Sequence, residues 1–322
     1  MHDLVRDIIE TTKSLKSART QLNLLWEEVA EVLTAKRSLV NALGSMLRPK
    51  SAAPGKWFDI VPEDEDLLDD RATKEWVEFA EERLWKALYN PRAKFIEATG
   101  EVDDDLVTFG TGAGFISTRP DQKGLSFRSF HLNSVYLEVD SQNDVIAAYI
   151  TERLTSKQAA DKWGDENLGA KTQEDLRSNT AQQTPKKFEF YWYVGTRHVR
   201  DPRIENNLNM PIASCVIDVE SEHKVVEEGF QEFPFFFPRW DTRSGEVYGR
   251  GPGVLALPDV LTLNQMGKTM LRGLHRAVDP PWLLPSDSMA SAPNMAPGKV
   301  SYYDAKAIRK LGLSAPFQQM ES

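Results

Sequence analysis

Residues Val226–Pro281 read VEEGFQEFPFFFPRWDTRSGEVYGRGPGVLALPDVLTLNQMGKTMLRGLHRAVDPP, joining an aromatic segment to a Gly/Pro turn and then to one long helical pattern. Phe233–Phe237, with Pro234 and Pro238, suits a strand at a sheet edge, because proline lacks the donor that an interior strand needs. Gly245, Gly249, Gly251, Pro252 and Gly253 then interrupt any regular ladder. At least one of Gly249, Gly251 and Gly253 is expected to need a backbone angle closed to other residues. Val254, Leu257, Leu261, Met266, Met270, Leu274 and Val278 follow at near-helical spacing. The spacing predicts a helix from about Pro258 to Ala277, roughly 30 Å long. Lys268, Arg272 and Arg276 recur every four residues and form a basic stripe on that helix. The stretch carries architecture and no catalytic set.

Upstream, residues 3–47 repeat apolar positions at three- and four-residue steps, and the small, Pro-rich loop Pro49–Gly55 ends that helical pattern. Trp57–Val61 reads as a short strand. The acids Glu63, Asp64, Glu65, Asp66, Asp69 and Asp70 then lead into a helix carrying Trp76, Phe79, Leu84, Trp85 and Leu88. A further helix runs from about Pro91 to Phe109 and stops at Gly110. Strands follow between Gly114 and Asn143, and a short helix begins at Thr155 or Ser156 and stops at Gly164. Residues 165–187 are polar and read as a mobile loop. Phe188–Val194 and Ile212–Val219 are expected strands, with Asp201–Met210 an exposed turn between them. Beyond Pro280 only the short pieces Trp282–Leu284 and Lys299–Tyr303 look strand-like, around the small-residue stretch Ser286–Gly298. No internal repeat has a fixed period.

With 322 residues, 41% hydrophobic, the chain is long enough for a buried core and two or three domains. No apolar run approaches the ~18 residues of a membrane span, and the acids of MHDLVRDIIETTK do not suit a signal peptide. The chain is expected to stay cytosolic while it is a monomer. The single cysteine, Cys215, excludes an intrachain disulfide and a multi-cysteine zinc site, and it fits a core position on its strand. The formal charge of −9 argues against a broad nucleic-acid grip, which needs clustered Lys and Arg. Simple solubility also suits that charge.

The candidate chemistries each lack their context. Phe109–Phe115 (FGTGAGF) has glycines for a phosphate cradle, but the helix precedes them where a dinucleotide fingerprint requires a strand. Gly267-Lys268-Thr269 ends like a P-loop, yet Thr262 stands where the first glycine should be and the tripeptide lies inside a helical pattern. The acids at 63–70 and Asp103, Asp104 and Asp105 lack the spacing of a calcium loop and suit solvated helix charges better than a nuclease metal pair. His2, His131, His198, His223 and His275 show no metal-binding spacing, and no G-x-S-x-G elbow occurs. Trp240, Tyr248 and the Phe run are offset by nearby acids and suit packing better than base stacking. Arg239 is a candidate for pairing with a carboxylate of a neighbouring subunit. No catalytic, cofactor or metal residue is expected.

The order GF-x-EFP-x-x-x-PRW, G-x-VYGRGPG, AL-x-D-x-x-x-LN-x-M and A-V-x-PP resembles the head-to-tail connector, or portal, family of short-tailed phages. The resemblance extends through Leu39–Phe58 (LVNALGSMLRPKSAAPGKWF), Asp105–Ile116 (DLVTFGTGAGFI) and Ser134–Tyr149 in collinear order. It implies an α+β fold with a wing-like domain at 1–252, a stem-like channel helix at 253–278 and part of a clip-like region at 279–322. Members of this family continue beyond the position matching Ser322, so the chain is expected to be C-terminally short. The resemblance also implies a non-enzymatic subunit of a ring, usually a dodecamer, at one capsid vertex. Double-stranded DNA would pass through that ring during packaging and ejection. The implied partners are the terminase large subunit, major capsid and scaffolding proteins and a tail adaptor, with no membrane. On the channel wall, the stripe at Lys268, Arg272 and Arg276 would meet phosphates or a neighbouring subunit, and Gly249, Gly251, Pro252 and Gly253 would form the turn that aims the helix. A motor or nuclease subunit, or a tail adaptor, is the alternative.

Overall fold

A computed structural model describes residues 2–34, 58–62, 64, 70–119, 124–178, 186–197, 199–201, 203, 206–286, 294, 296–304, 306 and 310. The chain forms two compact units, Met1–Leu255 and Ala256–Ser322. The first is organised by a five-stranded antiparallel meander of β3 (Val135–Val139), β4 (Val145–Thr155), β5 (Lys187–Thr196), β6 (Ile212–Asp218) and β7 (His223–Phe230), in sequence order. Strand alternation sends successive side chains to opposite faces. Tyr136, Tyr149, Tyr191, Cys215 and Ile217 pack on one face against Val5, Ile8 and Ile9 of helix α1 (His2–Ala18). Val135, Leu137, Ala148, Ile150 and Val194 take the other face with Phe130 and Phe235. There they meet a small sheet of β2 (Leu125–Ser129), β1 (Gly114–Thr118) and β8 (Phe235–Phe236), in that order.

Phe233–Phe237 therefore lies at a sheet edge as the prolines require, but only Phe235 and Phe236 enter the ladder, opposite Phe115 and Gly114. The helical pattern of residues 3–34 is real and is broken once. Helices α1 and α2 (Thr20–Thr34) are separated at Arg19, and residues 35–57, which include the rest of the predicted helix, the Pro49–Gly55 loop and Trp57, lie outside the described residues. Phe58–Val61 is not a strand. The Ile60 amide donates to the Glu81 carboxylate at 2.9 Å, so it is engaged by a side chain and not by a ladder. Helix α3 (Arg71–Leu88) starts where the acids predict, with the Asp70 side chain accepting from the Thr73 amide. The helix expected from Pro91 is divided: Pro91–Ala93 is a separate 3-10 turn, Lys94 takes a left-handed φ of 57°, and α4 (Phe95–Phe109) then runs to Gly110.

Thr155 caps α5 (Ser156–Trp163) with a reciprocal box to Gln158, and Gly164 ends it. The polar segment after it is structured, contrary to the loop expectation. Asp165–Asn167 is a 3-10 turn and Ala170–Ser178 forms α6, while 179–185 lie outside the described residues. Two buried anchors hold this segment. Leu168 enters the cluster of Phe188 and Phe190, and the Thr172 hydroxyl donates to Asp218 at 2.7 Å.

The long helix α7 spans Pro252–Val278, 27 residues, or about 40 Å. It begins six residues before the predicted start, because Pro252 occupies the first helical position, where no amide donor is needed. Pro258 lies inside it and withholds only the amide that would reach the Val254 carbonyl. In the second unit, β9 (Trp282–Ser286) and β10 (Val300–Asp304) pair in parallel, from Val300 opposite Trp282 to Asp304 opposite Ser286.

Candidate functional site

Two glycine-rich segments that are far apart in sequence meet backbone to backbone. Gly110 ends α4 with a φ of 95°, its amide donating to the Leu106 carbonyl at 3.0 Å. Its own carbonyl accepts from the Trp240 amide at 2.9 Å, and the Gly112 amide donates to the Pro238 carbonyl at 3.0 Å. The fully buried Thr111 hydroxyl accepts from the Gly249 amide at 2.8 Å. A Cβ on Gly251 would stand 2.6 Å from the Gly110 nitrogen, 2.8 Å from the Val107 oxygen and 2.9 Å from the Leu106 oxygen. One on Gly249 would stand 2.4 Å from the Gly110 oxygen. These distances are shorter than van der Waals contact permits, and the obstructing atoms are main chain, which has nowhere to retreat.

The physical reason for glycine here differs from the one expected. None of Gly249, Gly251 and Gly253 has a left-handed φ; Gly249 and Gly251 serve by close approach. The backbone angle closed to other residues belongs to Gly110, on the opposing segment. Pro252 and Gly253 are the first two residues of α7, so the junction delivers the chain directly into the long helix. The segment that could have suggested a phosphate cradle is occupied by the protein's own backbone.

Side chains of the intervening loop lock it on both flanks. Arg239 donates to the carbonyls of Asn143 at 2.7 Å and Val247 at 3.3 Å, so part of its guanidinium is engaged within the chain. Arg250 grips Glu246 through two bonds of 3.0 and 2.5 Å, which holds the Glu246 carboxyl below its usual range. The Tyr248 hydroxyl accepts from the Leu137 amide at 3.2 Å, and its ring meets Trp26 edge-on at 5.4 Å. Trp240, expected to pack with the Phe run, is exposed.

Beside the junction, Asp105 on α4 accepts from the Leu132 amide at 3.1 Å. Burial pushes its carboxyl up to about 6; His131 and the Leu132 amide oppose that rise, and Asp104 and Glu101 add to it. Burial also raises the Cys215 thiol to about 11. Among the described residues, no group of three or more His, Cys, Asp and Glu could hold a metal ion. The acids at 63 and 65–69 lie outside the described residues, as does His198. Gly267, Lys268 and Thr269 sit in unbroken helix, where the Thr269 hydroxyl donates to the Gln265 carbonyl at 2.9 Å, so no loop surrounds them.

Lys268 and Arg272 are exposed and Arg276 half-buried, and among the described residues none of the three is ion-paired. Large apolar side chains share the exposed surface: Leu263, Met266, Met270, Leu271, Leu274 and Val278. The sequence pattern located both the stripe and the helix. It missed the glycine junction, whose two halves carry no signal of mutual proximity beyond an unusual local density of glycine.

The described residues form a mixed α+β body, and the chain continues into a long helix with exposed apolar residues. Its family follows from comparison with family models: residues 5–321 match the one described as bacteriophage head to tail connecting protein, and the chain belongs to that family. It is 23% identical over 331 residues to the portal protein of Salmonella phage epsilon15, covering 92% of this chain and 57% of that protein. It is 22% identical over 286 residues to a probable portal protein of Bordetella phage BPP-1, covering 85% and 49% respectively. The chain thus spans about half the length of these curated relatives. No helix among the described residues is long and apolar enough to cross a membrane.

Proposed function

We propose that this chain is a portal subunit, assembling into a ring at one capsid vertex that conducts double-stranded DNA during packaging and ejection. Family membership gives the class, and the observation that carries the assembly is α7. Leu263, Met266, Met270, Leu274 and Val278 are exposed on it, Val278 at 85%, and a contiguous exposed apolar surface of this kind marks an interaction site. Neighbouring copies of the same helix are its occupants, in a ring usually of twelve. In this reading residues 1–252 form the wing, 253–278 the first stem helix and 279–322 part of the clip. The terminase large subunit and a tail adaptor dock in turn on the assembled ring, and capsid and scaffolding proteins surround it in the virion head. The net charge of −9 disfavours a broad grip on phosphates by the chain as a whole, while the helix assigned to the wall carries the basic stripe Lys268, Arg272 and Arg276. The subunit is a conduit, and nucleotide-driven work belongs to a partner.

Two helical glycines support a crowded helix. A Cβ on Gly267 or Gly273 meets nothing within 4 Å in the isolated chain, although each glycine costs about 1 kcal/mol relative to alanine in a helix interior. A neighbouring helix approaching at these points accounts for their use. Negative-stain microscopy of the purified protein tests the proposal: rings with a central hole are expected. A strictly monomeric protein, or phosphate release that disappears in Lys268→Ala, overturns it.

A further inference from the structure

Arg19, at the break between α1 and α2, is 4% exposed and carries an unbalanced charge. Its Nη1 donates to the carbonyls of Leu132 at 3.1 Å and of Val135, and to the Tyr248 hydroxyl at 3.3 Å; Nη2 donates to the Asn133 carbonyl at 2.6 Å. Trp26, Tyr136 and Tyr248 present ring faces to the guanidinium, Tyr136 at 3.9 Å. All of these partners are neutral. No carboxylate among the described residues pairs with Arg19, and its buried Nε has no acceptor. A buried cation without a counter-ion is costly, and a buried donor without an acceptor adds to that cost.

Arg19 borders a cavity of about 360 Å³. Leu15, Ala18, Leu22, Leu137 and Val247 give the cavity an apolar lining, and Glu246 and Arg250 are also on its wall. Glu246 is engaged through both oxygens by Arg250, so that pair cancels and the lining keeps the single positive charge of Arg19. The volume falls within the range of small-molecule sites, which are mostly apolar with one or a few polar groups that fix orientation. We propose that this cavity binds an apolar monocarboxylate of fatty-acid type, its tail against Leu15, Leu22, Leu137 and Val247 and its carboxylate neutralising Arg19. The site lies wholly within the first unit.

Isothermal titration of the purified chain with octanoate, and with octanamide as its uncharged counterpart, tests the assignment. Octanoate is expected to bind at one site at least tenfold more tightly than octanamide, because hydrogen bonds to an ionised acceptor are about twice as strong as neutral ones. Ala18→Trp, at an exposed position on the rim, is expected to abolish binding while circular dichroism and melting temperature stay at wild-type values. This variant tests the location without replacing the buried Arg19. Absence of saturable octanoate binding overturns the proposal. Equal affinity for the amide overturns the role of Arg19, and undiminished binding in Ala18→Trp overturns the location.

Discussion

Gly251→Ala is the sharpest perturbation of the junction, because two physical effects predict opposite signs. Gly251 does not adopt a left-handed backbone, so reduced entropy of the unfolded chain alone favours the alanine variant by about 0.4–1 kcal/mol. Against this, the new Cβ lies 2.6–2.9 Å from the Gly110 nitrogen and the Val107 and Leu106 oxygens. Relief requires the two segments to part, and overpacking of this kind costs about 1–3 kcal/mol. Parting them also strains the Trp240-to-Gly110 and Gly249-to-Thr111 hydrogen bonds, each worth about 1 kcal/mol. Combining these, the variant should be destabilised by about 2–4 kcal/mol, and its melting temperature lowered by roughly 5–10 °C for a unit of this size. Urea denaturation against the same change at Gly267, where a Cβ meets nothing, supplies the control: Gly267→Ala should stabilise the isolated chain by about 1 kcal/mol. A Gly251→Ala variant within about 0.5 kcal/mol of wild type, the ordinary range for inconsequential substitutions, refutes the close-approach argument.

Further outcomes follow from the charges and the core. The Asp105 carboxyl is raised from 3.8 to about 6 in the folded protein, so the stability it contributes is present below about pH 4 and lost as pH rises through about 6. Asp105→Asn, which keeps an acceptor for the Leu132 amide, should therefore stabilise at pH 7.5 by about 1–2 kcal/mol and change little at pH 4; denaturant midpoints at the two values check this. Cys215, buried and with its thiol pushed up to about 11, should react with a thiol reagent at least a hundredfold more slowly in native than in urea-unfolded protein. For the stripe, the Lys268→Ala and Arg272→Ala double variant should form rings but package DNA abnormally if the side chains meet phosphates. If they bridge subunits, ring size distributions should shift toward monomer, with wild-type rings also weakening at high salt; normal rings with normal packaging exclude both roles.

The features legible in the sequence were those whose cause is local. Thr155 and Gln158 lie within one turn, Gly110 ends a helix on its own account, and the apolar repeat of α7 needs no distant partner. Polar α6 looks like a loop in the sequence because its anchor, Thr172 to Asp218, joins residues that no periodicity relates. Pro258 looked like a helix start, although Pro252 already supplies one and a single withheld donor does not end a helix of this length. At the candidate site, glycine density marked both halves of the junction, but residue type alone does not distinguish a turn from a close approach. Arg19 gave no signal in sequence, since its setting is built from carbonyls near Leu132 and a hydroxyl at Tyr248.

The hydrogen bond from Gly249 to Thr111 joins residues 138 positions apart, and β1 to β8 all lie between them. Contacts of such separation form slowly, because a long loop must be ordered before they reward it. During synthesis Gly110, Thr111 and Gly112 emerge early, and their hydrogen-bond partners on the opposing segment arrive only when Pro238–Gly249 has been made. The start of α7 is thus fixed only once residues up to Gly251 are present to close the junction. A chain with misaligned strands cannot close the junction, so the first turn of its long helix is left without a fixed point of departure.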